Sequence, residues 1–152
     1  MADVVLTQRV DETGLAGRVT VRSCGTGDWH VGHPMDERAA AVLLAHDYDP
    51  SQHRAQQFAP AWVADHDLVL TMDAGNLDEV RRVATASGAD IDPERVRLFR
   101  DFDQVEPGGE VPDPYYGGEQ GFEEVLAMVE RTCAVLVSAL QLLPELREAG
   151  RS

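Results

Sequence analysis

The run Asp67-Leu68-Val69-Leu70-Thr71-Met72 constrains this chain more than any other segment. Apolar at four of six places and followed at once by Asp73, it reads as a strand buried on both faces. Asp73 is then the cap of a helix continuing through about Val83. A strand that hands over directly to a helix is the unit from which parallel sheets are assembled, so the segment predicts an α/β protein. The chain has 152 residues, 43% of them hydrophobic, enough for one domain around a single core.

Other elements fit the same class. Val5, Leu6 and Val10 recur at helical spacing from Ala2 to about Thr13, and Gly14 offers a stop. No capping residue or connection precedes this first helix, and the pattern points to a segment ahead of Met1. Val19-Thr20-Val21-Arg22-Ser23-Cys24 is β-branched enough for a strand, and Gly25-Thr26-Gly27-Asp28 opens a loop running to Pro34. Asp36 is placed to cap a helix reaching His46, and Asp49-Pro50 marks its exit. Val96-Arg97-Leu98-Phe99 is a further short strand. Residues 101–121, rich in Pro, Gly and Asp, read as a long loop of the kind that carries function. Phe122, Leu126, Val129, Cys133, Leu136, Leu140 and Leu143 form the apolar stripe of a last helix. Pro144 limits it, and residues 144–152 read as a charged, frayed tail.

Composition excludes several functions. Thirteen basic against 27 acidic residues give a formal net charge of -14, the wrong sign for a phosphate backbone, so nucleic acid is not an expected ligand. The best apolar run, residues 133–143, falls short of the ~20 residues that cross a bilayer and follows Glu130 and Arg131 directly, so no membrane contact is expected. Met1-Ala2-Asp3 begins no export signal, which makes the expected compartment the cytoplasm. Cys24 and Cys133 form neither a disulfide framework nor a zinc pattern, and reduced thiols are expected with no metal site.

Two stretches carry candidate chemistry. Asp113-Pro114-Tyr115-Tyr116 sets a carboxyl beside a stiff proline and two rings on the long loop. Spacing leaves two readings open: a turn whose Asp bonds its own backbone, or a general acid flanked by rings that grip an aryl group. Trp29-His30 follows a Gly-rich loop at a strand end, where open α/β sheets place ligands, and Trp29 is either a pocket wall or a cover for the core. Ser23-Cys24-Gly25-Thr26-Gly27 mimics a phosphate loop, but a thiolate phosphatase needs Arg six positions after Cys, and His30 stands there. Cys24 is therefore read as a small strand-end residue and Cys133 as core.

Taken in order, Ser23-x-Gly25-Thr26, Trp29-His30-x-Gly32, Asp36-x-Arg38-Ala39, His53-Arg54-Ala55, Leu68-Val69-Leu70-x-Met72-Asp73-x-x-Asn76, Asp113-Pro114-Tyr115-Tyr116-Gly117 and Phe122-Glu123-Glu124-Val125 form a series. It resembles the low-molecular-weight protein tyrosine phosphatases from Met1 to about Leu143. The resemblance implies a Rossmann-like parallel sheet of four strands with helices on both faces. It also implies hydrolysis of phosphotyrosine-containing proteins through a phosphocysteine, without metal or organic cofactor. Asp113 would be the general acid, and Trp29, Tyr115 and Tyr116 the walls of the substrate cleft. The family's first, central strand, its nucleophilic Cys and its phosphate-binding Arg have no counterpart here, and Gln56 stands where several relatives carry Arg. The reading is a tyrosine phosphatase truncated at its N-terminus by a start placed at an internal Met, inactive as written. The alternative is a non-catalytic pseudophosphatase that holds a phosphoprotein or partner. Arsenate reduction on the same fold is disfavoured, because Cys24 and Cys133 do not supply a nucleophile with its resolving thiols.

Overall fold

The computed structural model describes residues 1–27, 30–88 and 90–147, with Tyr116 described in its backbone alone. Two short parallel strands, β1 (Val69–Thr71) and β2 (Val96–Leu98), pair in register Val69↔Val96, Leu70↔Arg97 and Thr71↔Leu98. Parallel strands need a crossover, and here it runs through helix α4 (Ala74–Ala86). Asp73 starts that helix as expected: its Oδ1 accepts from the Asn76 amide at 2.7 Å.

Side chains alternate across β1, and this alternation divides the core. Leu70 and Met72 pack against a cluster built by helices α1 (Ala2–Glu12), α2 (Glu37–Ala45) and α5 (Gly118–Leu142), with Val5, Leu43 and Leu126 at its centre. Val69 points the other way, into a smaller cluster of Val63, Val80, Ala84 and Val96, supplied by α3 (Ala61–Asp65), α4 and β2. Helices thus cover both faces of the sheet. A third cluster of Val10, Leu15 and Val137 ties the end of α1 to α5.

Several expectations need correction. β1 is shorter than residues 67–72, and it is not buried on both faces: Val69 and Leu70 are half-buried and Leu68 is 38% exposed. Among the described residues its ladder runs along one edge only. Val19–Cys24 is not a strand either, since it has no ladder partner; a parallel bridge joins Gly25 to Gln57 and an isolated one joins Ala16 to Val19. A β-branched run without a hydrogen-bonded neighbour gains nothing from extended geometry. Among the described residues the sheet has two strands rather than the three expected of this chain.

Helix α5 starts at Gly118, four residues before the expected Phe122, and Leu143 leaves its stripe at 44% exposure. With a mean hydropathy of 1.6 over its best window, this helix is long and apolar enough to cross a membrane, contrary to the run-length estimate. Its stripe from Phe122 to Val137 is instead buried against the core. Pro144–Arg147 forms a further helical turn, α6, whose Leu146 packs on the third cluster.

Residues 101–121 are not a plain loop. A 3-10 turn, Phe99–Phe102, follows β2, and from it the buried Arg100 reaches three ways. Its Nε donates to Asp103 Oδ2 at 2.9 Å, Nη1 to the Glu110 carbonyl at 2.7 Å and Nη2 to Glu106 Oε2 at 2.7 Å. Asp103 also accepts a fork from Arg131 of α5, at 2.8 and 2.9 Å, and the Val105 amide at 3.0 Å. Gly109 is required here, because a Cβ at that position would stand 2.9 Å from the Arg100 guanidinium. The loop closes where the Val111 amide donates to the Met72 carbonyl at 2.7 Å. The Arg131 hydrogen bonds, outweighing burial and helped by Val105 and Arg100, hold the Asp103 carboxyl well below the usual carboxylate range.

Two stability predictions follow from these contacts. Leu126→Ala removes a side chain that is 1% exposed and is expected to cost about 2–5 kcal/mol in urea unfolding. A carboxyl whose pKa falls on folding stabilises above its unfolded value and loses that stabilisation as acid protonates it. Asp103→Asn is therefore expected to cost about 3 kcal/mol at pH 7 and to flatten the acid decline that begins below about pH 4. Urea midpoints across a pH series check both effects.

Candidate active site

Asp113 opens a 3-10 turn, Pro114–Tyr116, immediately after the stretch that Arg100 and Asp103 brace. Proline at the first turn position presets the backbone, and Asp113 Oδ1 accepts the Tyr115 amide at 2.9 Å. The turn reading is therefore correct for one carboxylate oxygen. It does not exclude the other: Asp113 is exposed, and among the described residues no hydrogen bond reaches Oδ2. A carboxyl fixed through one oxygen and open at the other can present a proton in a defined direction.

Tyr115 is 57% exposed and belongs to the same turn, so the structure brings these two sequence-predicted residues together. Trp29 lies outside the described residues, as does the side chain of Tyr116. Two clefts lie elsewhere and include neither Asp113 nor Tyr115. One, of about 360 Å3, is bordered by Ser23, Cys24, Gly27, His30, His53 and Gln56. The other, of about 410 Å3, runs along α1 past Asp3, Thr7 and Arg22.

The border between these clefts is a polar cluster that the sequence reading did not assign. Asp3 Oδ2 lies 2.6 Å from His53 Nδ1 and accepts from Ser23 Oγ at 2.9 Å, and its Oδ1 lies 3.5 Å from the N-terminal ammonium. Burial alone would raise the Asp3 pKa, but His53, the ammonium and Ser23 together hold it far below the ordinary range. His53 stood in the motif series, and its Asp partner is separated by 50 residues, beyond the reach of any spacing argument. Gln56 accepts from Arg22 Nη2 at 3.0 Å, and Arg22 in turn lies over the Trp62 ring at 4.1 Å.

Neither thiol is activated. Partial desolvation raises the pKa of Cys24, with Arg22 opposing it weakly. Cys133 is fully buried in the core and is pushed up to about 12 by that burial. A nucleophilic cysteine needs the opposite shift, from cations or aligned amides that favour the thiolate.

Arg38 stood in the motif series within Asp36-x-Arg38-Ala39 but was given no role. Its Nη1 donates to the Tyr115 carbonyl at 3.2 Å, and its guanidinium stands 5.0 Å from the Tyr115 ring and 4.9 Å from the Phe122 ring. This links the start of α2 to the turn that carries Asp113. The signal available was the pair Asp36-x-Arg38, in which Asp36 caps α2 by accepting the Arg38 amide at 2.9 Å.

Comparison with known proteins identifies the family. Residues 1–145 match the family model described as low molecular weight phosphotyrosine protein phosphatase. A low molecular weight protein-tyrosine-phosphatase of Streptomyces coelicolor is 44% identical, over 98% of this chain and 90% of its own length. Low molecular weight protein-tyrosine phosphatase A of Mycobacterium tuberculosis is 40% identical, over 86% of this chain and 76% of its own. The crystal structure of YfkJ from Bacillus subtilis superposes with a TM-score of 0.81 at 27% identity, covering 92% of this chain and 84% of that one. The chain therefore belongs to the low molecular weight phosphotyrosine protein phosphatase family, with the α/β Rossmann-like fold of that family.

Proposed function

We propose that these 152 residues supply the proton-donating and ring-gripping part of a protein tyrosine phosphatase. In this reading the substrate is a phosphotyrosine-containing protein in the cytoplasm. The single observation that carries it is the Asp113 turn: Oδ1 accepts the Tyr115 amide, Asp113 is exposed, and among the described residues no hydrogen bond reaches Oδ2. Asp113 gives its proton to the tyrosyl oxygen as the ester bond breaks, then takes a proton from the water that attacks the phosphocysteine. Trp29, Tyr115 and Tyr116 line the approach of the aryl group.

The nucleophile is the part this chain does not supply. Cys24 and Cys133 are followed six positions later by His30 and Ala139 rather than Arg, and neither thiol favours its ionised form. A strand ending in a Cys-x5-Arg-Ser loop, about ten to fifteen residues placed ahead of Met1, completes the site in this proposal. It would also give β1 a second ladder partner. The pseudophosphatase reading starts from the same proposed set, an acid and rings in a sequence with no Cys-x5-Arg. Rings alone leave a phosphate dianion desolvated and unpaired, which argues against appreciable affinity.

Aryl-phosphate hydrolysis separates the two readings. The chain as given is expected to show no turnover above background, and the chain extended by that segment is expected to hydrolyse phosphotyrosine. Asp113→Asn in the extended form is expected to reduce kcat by about 10²–10⁴. Turnover by the unextended chain would refute the assignment of the nucleophile. Saturable heat on calorimetric titration of the unextended chain with a phosphotyrosine peptide would favour the binding module.

A further inference from the structure

Resting on the reading of Asp113 as proton donor, we infer that Arg38 is the positioning residue that clamps the Asp113 turn to the start of α2. Three contacts converge on its guanidinium. Nε donates to Asp36 Oδ1 at 3.2 Å and Nη2 to Asp36 Oδ2 at 3.1 Å, a fork that fixes the plane of the group. With that plane fixed, Nη1 donates to the Tyr115 carbonyl at 3.2 Å. The same cation stands over two rings, the exposed Tyr115 and the buried Phe122 of the first α5 turns.

An isolated surface ion pair of this exposure would matter little, since the two side chains are 43% and 36% exposed. What distinguishes Arg38 is that Asp36 is itself held in place, accepting the Arg38 amide at 2.9 Å as the helix cap. The cap aims the fork, the fork aims Nη1, and Nη1 takes the carbonyl of the residue whose amide binds Asp113 Oδ1. Both ends of the Tyr115 peptide environment are thereby held, one by the acid and one by α2. Lysine cannot replace this geometry, because a point charge makes neither the fork nor the third, divergent hydrogen bond.

Hydrogen exchange followed by NMR on the chain as it stands tests the clamp. In Arg38→Ala the Tyr115 and Gly117 amides are expected to exchange about tenfold faster, while Val129 in the middle of α5 is unchanged. Arg38→Lys is expected to behave like the alanine variant. Asp36→Ser, which keeps a capping oxygen but removes the fork, is expected to loosen the same two amides. Unchanged Tyr115 and Gly117 exchange in Arg38→Ala would overturn the inference, as would an equal rise at Val129, which would mark a merely stabilising residue. In the extended, active form, Arg38→Ala is expected to lower kcat/KM for phosphotyrosine about tenfold more than for dinitrophenyl phosphate, whose leaving group needs no proton. Asp113→Asn is the control: if it shows no such selectivity, the acid assignment fails and the clamp is judged by exchange alone. Selectivity in Asp113→Asn without any in Arg38→Ala would overturn the positioning role.

Discussion

The carboxylate of Asp103 holds together the half of the molecule that presents the candidate acid. It is buried, with 1% exposure, and takes hydrogen bonds from Arg100 on its own loop, from Arg131 on the longest helix and from the Val105 amide. A carboxylate removed from water is tolerated only when each lone pair finds a donor, and here two guanidinium groups and an amide meet that demand. The consequence is directional. Arg100 is fixed by Asp103 and in turn holds the Glu110 carbonyl, and the next residue anchors to the end of β1 through Met72. Asp113 therefore leaves a braced segment, although it lies on a stretch that Pro and Gly would otherwise leave loose.

The opposite side of β1 has no such bracing. Leu70 and Met72 reach the helical core and Val69 reaches the smaller cluster, yet the strand is only three residues long and pairs on one edge. Residues 19–24 meet the rest of the chain through Val19 and Val21 on the third cluster, Arg22 on Gln56 and Trp62, and Ser23 on Asp3, rather than through a ladder. Near the same place α1 begins, with Asp3 gathering His53, Ser23 and the terminal ammonium. The molecule thus divides into a braced side that carries Asp113 and a side whose polar groups cluster about the first turn of α1.

Short-range features were legible in the sequence and long-range ones were not. Asp36 and Asp73 as caps, the β1-to-α4 handover and the stripe from Phe122 to Leu136 all follow from local geometry, because capping and helical periodicity act within a turn or two. Val19–Cys24 misled because its β-branched composition signals compatibility with a strand and cannot supply a partner. Cys24 was set aside on its spacing to His30, and partial burial raises its pKa. Arg38, Asp3 with His53, and Arg131 with Asp103 escaped, since their partners are 77, 50 and 28 residues away. Asp113 and Tyr115 were singled out from a turn signature that also has a plain structural explanation, and the structure satisfies that explanation with one Asp113 oxygen.

Intact mass spectrometry after rapid acid quench offers the most direct test of the proposal that these residues supply an acid and rings but not the attacking sulfur. The purified 152-residue chain, mixed with an excess of aryl phosphate, is predicted to keep its unmodified mass at every time point. A phosphate adduct mapping to Cys24 or Cys133 would contradict the account, because it would place the nucleophile within these residues.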